Sequence, residues 1–214
     1  LTLKRRSFLG AAFASGVAMH PAFGLVGVSS PSLPVPAVRA TIPSAGPAGG
    51  LMQRARQALA DHGERIAHRD VMAVADFSVA SHLPRLHMVD LASGLTNTLL
   101  VAHGRGSDPE NTGWLERFSN QLGSNASSNG SFLTGDAYFG KHGLSRKLIG
   151  LDADNDASES RAIVIHAANY VGEEIARDTG RIGRSQGCFA IAPADLAQVI
   201  ALLGPGRLLF ADKA

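Results

Sequence analysis

The residues best equipped for chemistry are one cysteine and one histidine about twenty positions before it. Cys188 ends the run Gly183-Arg184-Ser185-Gln186-Gly187-Cys188 and is the only cysteine among 214 residues, so no internal disulfide can engage it. A thiol becomes an effective nucleophile as its thiolate, and a nearby imidazole both takes the proton and stabilises the charge. His166 follows Ala162-Ile163-Val164-Ile165, an apolar, β-branched run that reads as a central buried strand handing its last side chain to a loop. Gly187 lets the backbone approach a substrate, and the N–H groups of Gly187 and Cys188 are candidate donors to an oxyanion. Arg184 adds positive potential beside the thiolate. A lone cysteine elsewhere is most often a small buried hydrophobe, but Gly-Arg-Ser-Gln-Gly is a poor approach to an apolar core.

Short strands must position this pair. Turn-bounded apolar segments predict strands at Val71–Phe77, Arg85–Asp90, Thr98–Ala102, Phe132–Thr134, Leu144–Leu148, Ala162–His166 and Arg207–Phe210. Leu51, Ala55, Ala58, Leu59, Ile66 and Ala67 recur at near-helical spacing and predict an amphipathic stretch from Leu51 to His68. Pro193, the set Leu196, Val199, Ile200 and Leu203, and then Gly204 predict a helix near the C-terminus. Many strands, few helices and no βαβ alternation point to a mostly-β (α+β) domain. Residues 103–131 form a long polar connection, beginning His103-Gly104-Arg105-Gly106-Ser107, of a length that usually serves function.

The first forty residues read differently. Lys4-Arg5-Arg6-Ser7-Phe8-Leu9 precedes an Ala/Gly-rich apolar run, the pattern of an export signal of the twin-arginine type, with cleavage expected after Ala40. An N-terminal membrane anchor is the alternative, disfavoured because Ser15, His20 and Pro21 interrupt the run. Residues 41–69 read as linker and amphipathic helix, and 70–214 as the main domain. Four of the 20 basic residues and none of the 18 acidic ones fall in the first forty, leaving 16 against 18, a net charge near −2. No basic nucleic-acid patch remains, and no stable membrane span is expected after signal removal.

Ser185-x-Gly187-Cys188, preceded by a strand-terminal histidine, is similar to the signature of the YkuD-type L,D-transpeptidases. Upstream, Gly135-x-x-Tyr138-x-Gly140-Lys141-x-Gly143-x-Ser145-x-x-Leu148-x-Gly150-Leu151, then Asn155, Ala157 and Arg161 through His166, resembles the murein L,D-transpeptidase catalytic-domain branch. So do His103 through Ser107 and Ser127-Ser128-x-Gly130-x-Phe132. The resemblance implies a β-sandwich or barrel with a short N-terminal helix region and a C-terminal helix, and a groove for peptidoglycan stem peptides. It implies that Cys188 attacks the carbonyl between a diamino acid and the terminal D-alanine of a tetrapeptide stem. D-alanine leaves, and an amine or water resolves the thioester. His166 would be base and then acid, and the carbonyl of Ala167 would fix its tautomer. Gly187, Ser185, Gln186, Arg184, Tyr138 and His103 are the candidate oxyanion and substrate contacts, and no metal or other cofactor is implied. Gln186 stands where the family often has histidine, Ala167 where it often has glycine, and the His166–Cys188 spacing is long.

Other classes fit less well. A papain-like endopeptidase would place the cysteine first, and a sortase would separate the pair more widely. A zinc site from His103, His166 and Cys188 lacks paired-ligand spacing. Asp152, Asp154, Asn155 and Asp156 resemble a calcium loop without its full ligand pattern. Water as acceptor would make the protein an L,D-carboxypeptidase, and a non-catalytic cell-wall-binding module also remains open.

Overall fold

The computed structural model describes residues 46–214. The expected export signal, its cleavage position and the first part of the linker lie outside the described residues. Among the described residues nine strands and three α-helices, with a 3-10 turn at Arg105–Ser107, follow one another as α1 (Gly49–Asp61), β1 (Val71–Asp76), β2 (Leu86–Asp90), β3 (Thr96–Leu99), β4 (Val101–Ala102), β5 (Gly130–Gly140), β6 (Gly143–Gly150), β7 (Val164–Ala167), α2 (Glu173–Thr179), β8 (Phe189–Ile191), α3 (Leu196–Leu202) and β9 (Leu208–Asp212). They build one mixed sheet in the order β3-β2-β1-β9-β5-β6-β7-β8-β4. Only β1–β9 and β7–β8 pair in parallel. The edge strands β3 and β4 are separated in sequence by Leu100 alone, so the sheet must curl until its two edges nearly meet. That curl gives the mostly-β, barrel-like architecture expected from the sequence.

Strand alternation sorts the side chains onto the two faces. On β1, Ala73 and Ala75 join Leu86, Phe132, Leu148, Ile165, Phe189 and Leu209 in the main core. Phe132 and Phe189 meet edge to face there, with centroids 5.4 Å apart. Met72 and Val74 point the other way, beneath Leu51, Ala55 and Ala58 of α1. Helix α1 therefore buries the outer face of β1, and a fully buried leucine such as Leu51 contributes about 1.5–3 kcal/mol. A third cluster holds Ala176 of α2 against Val171, Ile182, Ala102 and Ala190.

The departures from expectation have physical causes. The first helix ends at Asp61 rather than His68, with the His62 N–H donating to the Ala58 carbonyl and the Gly63 N–H to that of Ala60. Ile66 stays buried in the same cluster, so the apolar spacing outlasts the helix. The strand expected at Thr98–Ala102 is two strands broken at Leu100, whose side chain turns into the α2 cluster. Strands β5 and β6 run far beyond the predicted segments because their outer halves project into solvent, where Phe139 is 84% exposed and no apolar pattern is required. Helix α2 and strand β8 were not expected. Together with β7 they form one βαβ crossover, against the expectation of none, and it carries the chemistry-bearing pair. The signals for α2 are local: Glu173 and Glu174 in its first turn, Arg177 in its last, and left-handed Gly180 after it. Among the described residues, no helix is long and apolar enough to cross a membrane.

Candidate active site

The β7–β8 pairing brings the histidine and the cysteine together. His166 lies opposite Ala190, and Cys188 closes the turn immediately before β8. Both line one cleft of about 420 Å³. The Nδ1–H of His166 donates to the carbonyl of Ala167 at 2.9 Å, which leaves Nε2 as the basic nitrogen. Burial holds the imidazole below the ordinary histidine pKa, the Ala167 carbonyl opposes this, and the charges of His142 and Lys141 reinforce it. The thiol of Cys188 donates to the carbonyl of Ala162 at 3.5 Å. Burial pushes the thiol up, against the opposing effects of the Val164 backbone and the Lys141 and Arg161 charges. Both directions favour a neutral thiol beside a neutral imidazole. Ala162, whose carbonyl accepts the thiol's hydrogen bond, sits at φ 54°, a left-handed conformation that few alanines adopt.

A tight turn presents the thiol. Gly187 has φ 114°, and a Cβ there would lie 2.7 Å from the Ala126 carbonyl oxygen and 3.0 Å from both Arg161 and Ile163. Ser185 ties the turn together, its hydroxyl donating to the Cys188 carbonyl at 2.7 Å and accepting the Gly187 N–H at 3.1 Å. The Gly187 N–H, a candidate oxyanion donor, is engaged by Ser185 Oγ here, and Ser185 acts on the turn from a buried position. Gly104 and Gly106 explain the glycines after His103. A Cβ on either would lie within 2.3 Å of the backbone of loop 124–125, so their smallness allows that loop to pack against the turn.

Arg161 is the residue that sequence reasoning left without a role. Its guanidinium donates to the carbonyls of Ser119 and Ala126 and to the hydroxyls of Ser128 and Ser124. It thereby folds the polar 119–128 segment onto the cleft while its charge favours the thiolate. The signal in the sequence was a single arginine beside an Asn/Ser-rich loop, and only the fold joins the two.

Other candidates are placed elsewhere. His103 is 1% exposed and does not line the cleft. Its Nδ1 accepts from Arg85 at 2.7 Å and its Nε2 donates to Asp108 at 3.2 Å. Burial, followed by the Arg85 charge, lowers it to about 4. With both nitrogens engaged, His103 cannot join His166 and Cys188 around zinc. Tyr138 also lies outside the cleft lining, with Lys147 5.8 Å above its ring. Arg184 does line the cleft, but its guanidinium is held by the carbonyls of Asp108 and Pro109, and the cations acting on the thiol are Lys141 and Arg161. Gln186 lines the cleft and is exposed. Asp152 and Asn155 spend their polar atoms on His62, Ser131 and Asn129, which makes the acidic loop a structural clasp.

The tip of the β5–β6 hairpin covers the imidazole. Lys141 and His142 form the two-residue turn between paired Gly140 and Gly143, and both line the cleft. The rings of His142 and His166 stack with centroids 4.2 Å apart and planes 19° apart. A larger cleft of about 840 Å³, between β3, α2 and the start of α3, holds neither the thiol nor the imidazole.

The family model for the L,D-transpeptidase catalytic domain matches residues 50–211. The chain belongs to that family. No curated protein matches the chain significantly. Among solved structures, L,D-transpeptidase 3 from Mycobacterium tuberculosis is similar at 12% identity and a TM-score of 0.43, covering 67% of this chain and 61% of its own. An L,D-transpeptidase from Stackebrandtia nassauensis is similar at 14% identity and 0.41, covering 77% and 67%. One from Mycobacterium smegmatis gives 12% and 0.39, covering 67% and 58%, so this chain spans about three fifths of the mycobacterial proteins. Within this L,D-transpeptidase domain, the matched region spans α1 through β9 and so includes both His166 and Cys188.

Proposed function

We propose that this L,D-transpeptidase domain is a cysteine acyltransferase acting on peptidoglycan stem peptides outside the cytoplasm, reached through the export signal expected in residues 1–40. The observation that carries this reading is the parallel pairing of β7 and β8. It puts the thiol and an imidazole with a fixed tautomer into one cleft.

In the first step the thiol leaves the Ala162 carbonyl and gives its proton to His166 Nε2. Sulfur then attacks the acyl carbon of the stem amide. The Cys188 backbone N–H is the candidate donor to the oxyanion, a contribution usually worth about a hundredfold or more in rate. The tetrahedral adduct collapses to a thioester, and the imidazolium returns its proton to the departing D-alanine amine. In the second step His166 takes a proton from an acceptor amine on another stem. Nitrogen displaces sulfur, and the thiol is regenerated. Ala167 holds the ring throughout, and no metal is needed to generate the nucleophile.

The test incubates the protein with a tetrapeptide-bearing muropeptide and follows products by mass spectrometry, with Cys188→Ala and His166→Gln variants alongside. Cross-linked dimers plus D-alanine are expected, absent from both variants. D-alanine without dimers would make the protein an L,D-carboxypeptidase. A different leaving fragment would keep the cysteine chemistry and move the donor position. No product from the parent, with binding unchanged in Cys188→Ala, would leave a wall-binding module.

A further inference from the structure

We infer that Lys141, at the tip of the β5–β6 hairpin, is a substrate-binding residue that selects stem peptides carrying a free carboxylate beside the scissile amide. This inference rests on the acyltransferase reading and adds to it the charge of the group recognised. Three permanent cations line the cleft, Lys141, Arg161 and Arg184, and no aspartate or glutamate does. Two of the three are already committed. Arg161 spends its donors on Ser119, Ala126, Ser128 and Ser124, and Arg184 is held by Asp108 and Pro109.

Lys141 differs from both. Among the described residues no carboxylate or carbonyl pairs with its ammonium, and its side chain is exposed. It lines the same cleft as Cys188 and His166, beside His142, and its charge acts on all three. A positive cleft without acids attracts an anion, and desolvation of the pair on binding strengthens that attraction. The carboxylate of a terminal D-alanine follows the scissile nitrogen by one carbon. A lysine in the cleft that holds the thiol is therefore suited to hold the leaving residue and to disfavour internal amides, which offer no carboxylate at that position. Lysine suits the task because its stem is flexible and its three donors need no fixed plane.

Two tetrapeptide stems serve as probes, one ending in free D-alanine and one in D-alanine amide. Turnover is measured in the parent, Lys141→Met and Lys141→Arg, and binding in Cys188→Ala with and without Lys141→Met, where thiol reactivity plays no part. The parent should favour the acid, and Lys141→Met should raise KM for the acid about tenfold more than for the amide, removing the preference. Lys141→Arg should recover most of the preference, and Lys141→Met in the Cys188→Ala background should lose the same factor in affinity for the acid. Equal use of acid and amide by an active parent would overturn the inference and leave the acyltransferase reading intact. Lysine-dependent binding of the acid without any turnover would do the reverse. An equal fall for both peptides in Lys141→Met would also overturn it, since it would locate the effect in the thiol.

Discussion

Replacing Gly187 by alanine examines how the thiol is presented. Gly187 has φ 114°, and forcing a residue with a Cβ into so sparse a region costs about 1–3 kcal/mol. The added methyl would lie 2.7 Å from the Ala126 carbonyl oxygen and 3.0 Å from Arg161 and Ile163. The oxygen belongs to backbone already held by Arg161, so it cannot retreat freely, and overpacking adds about 1–3 kcal/mol. The total, roughly 2–6 kcal/mol, is a large part of the 5–15 kcal/mol that stabilises an ordinary domain. At about 2–4 °C per kcal/mol it lowers the melting temperature by roughly 5–20 °C. If the loop yields instead, the strain moves the sulfur by about 1 Å and costs about a hundredfold in acylation rate. Differential scanning fluorimetry and D-alanine release, measured on the same preparation, separate the two responses. Gly172→Ala is the control, because nothing lies within 4 Å of its Cβ position, and it should leave both unchanged. Gly187→Ala with parental melting and parental turnover would refute the argument that the turn requires glycine.

Three further predictions follow from burial and charge. Because burial raises the Cys188 thiol above its ordinary pKa of 9.0 and lowers His166 below 6.5, iodoacetamide labelling should accelerate above pH 9, while peptide turnover rises as His166 loses its proton below pH 6.5; a labelling plateau already present at pH 6 would instead reveal a stable thiolate–imidazolium pair. His103 has a native pKa of about 4 against 6.5 unfolded, so the unfolded chain binds more protons between those values. Its contribution, roughly 3 kcal/mol, is present above pH 6.5 and is lost as pH falls toward 4; urea midpoints should show that loss, and His103→Gln should reduce it, with His87, His142 and His166 supplying the same sign. Arg85 is fully buried, donating to the carbonyls of Val101 and Val79 and to His103; Arg85→Met strands these acceptors and should cost about 3–5 kcal/mol in a urea melt, an unchanged midpoint being the contrary result.

Family membership bears on where the chemistry is built as well as on what it is. The parallel β7–β8 pair sits in a sheet that is otherwise antiparallel apart from β1–β9, and the loop between its strands contains α2. Local openings of that crossover would move Cys188 relative to His166, so the third core cluster, with Val171, Ala176 and Ile182, also holds the candidate pair in register.

The sequence by itself determined the mostly-β class, the pairing of a strand-terminal histidine with a glycine-preceded cysteine, and the family resemblance. Each depends on residue type and short-range spacing, and burial at Ile165 or the turn at Gly187 leaves a direct imprint there. The tertiary structure alone decided which polar residues reach the thiol. Arg161 and Lys141 act on Cys188, whereas His103 turns inward to Arg85 and Asp108, and Ser185 Oγ takes the Gly187 N–H proton. The physical reason is that a polar side chain carries no periodicity announcing its partner. Its partner is fixed by strand register and by loops folded back across the sheet, and those contacts join positions far apart in the chain.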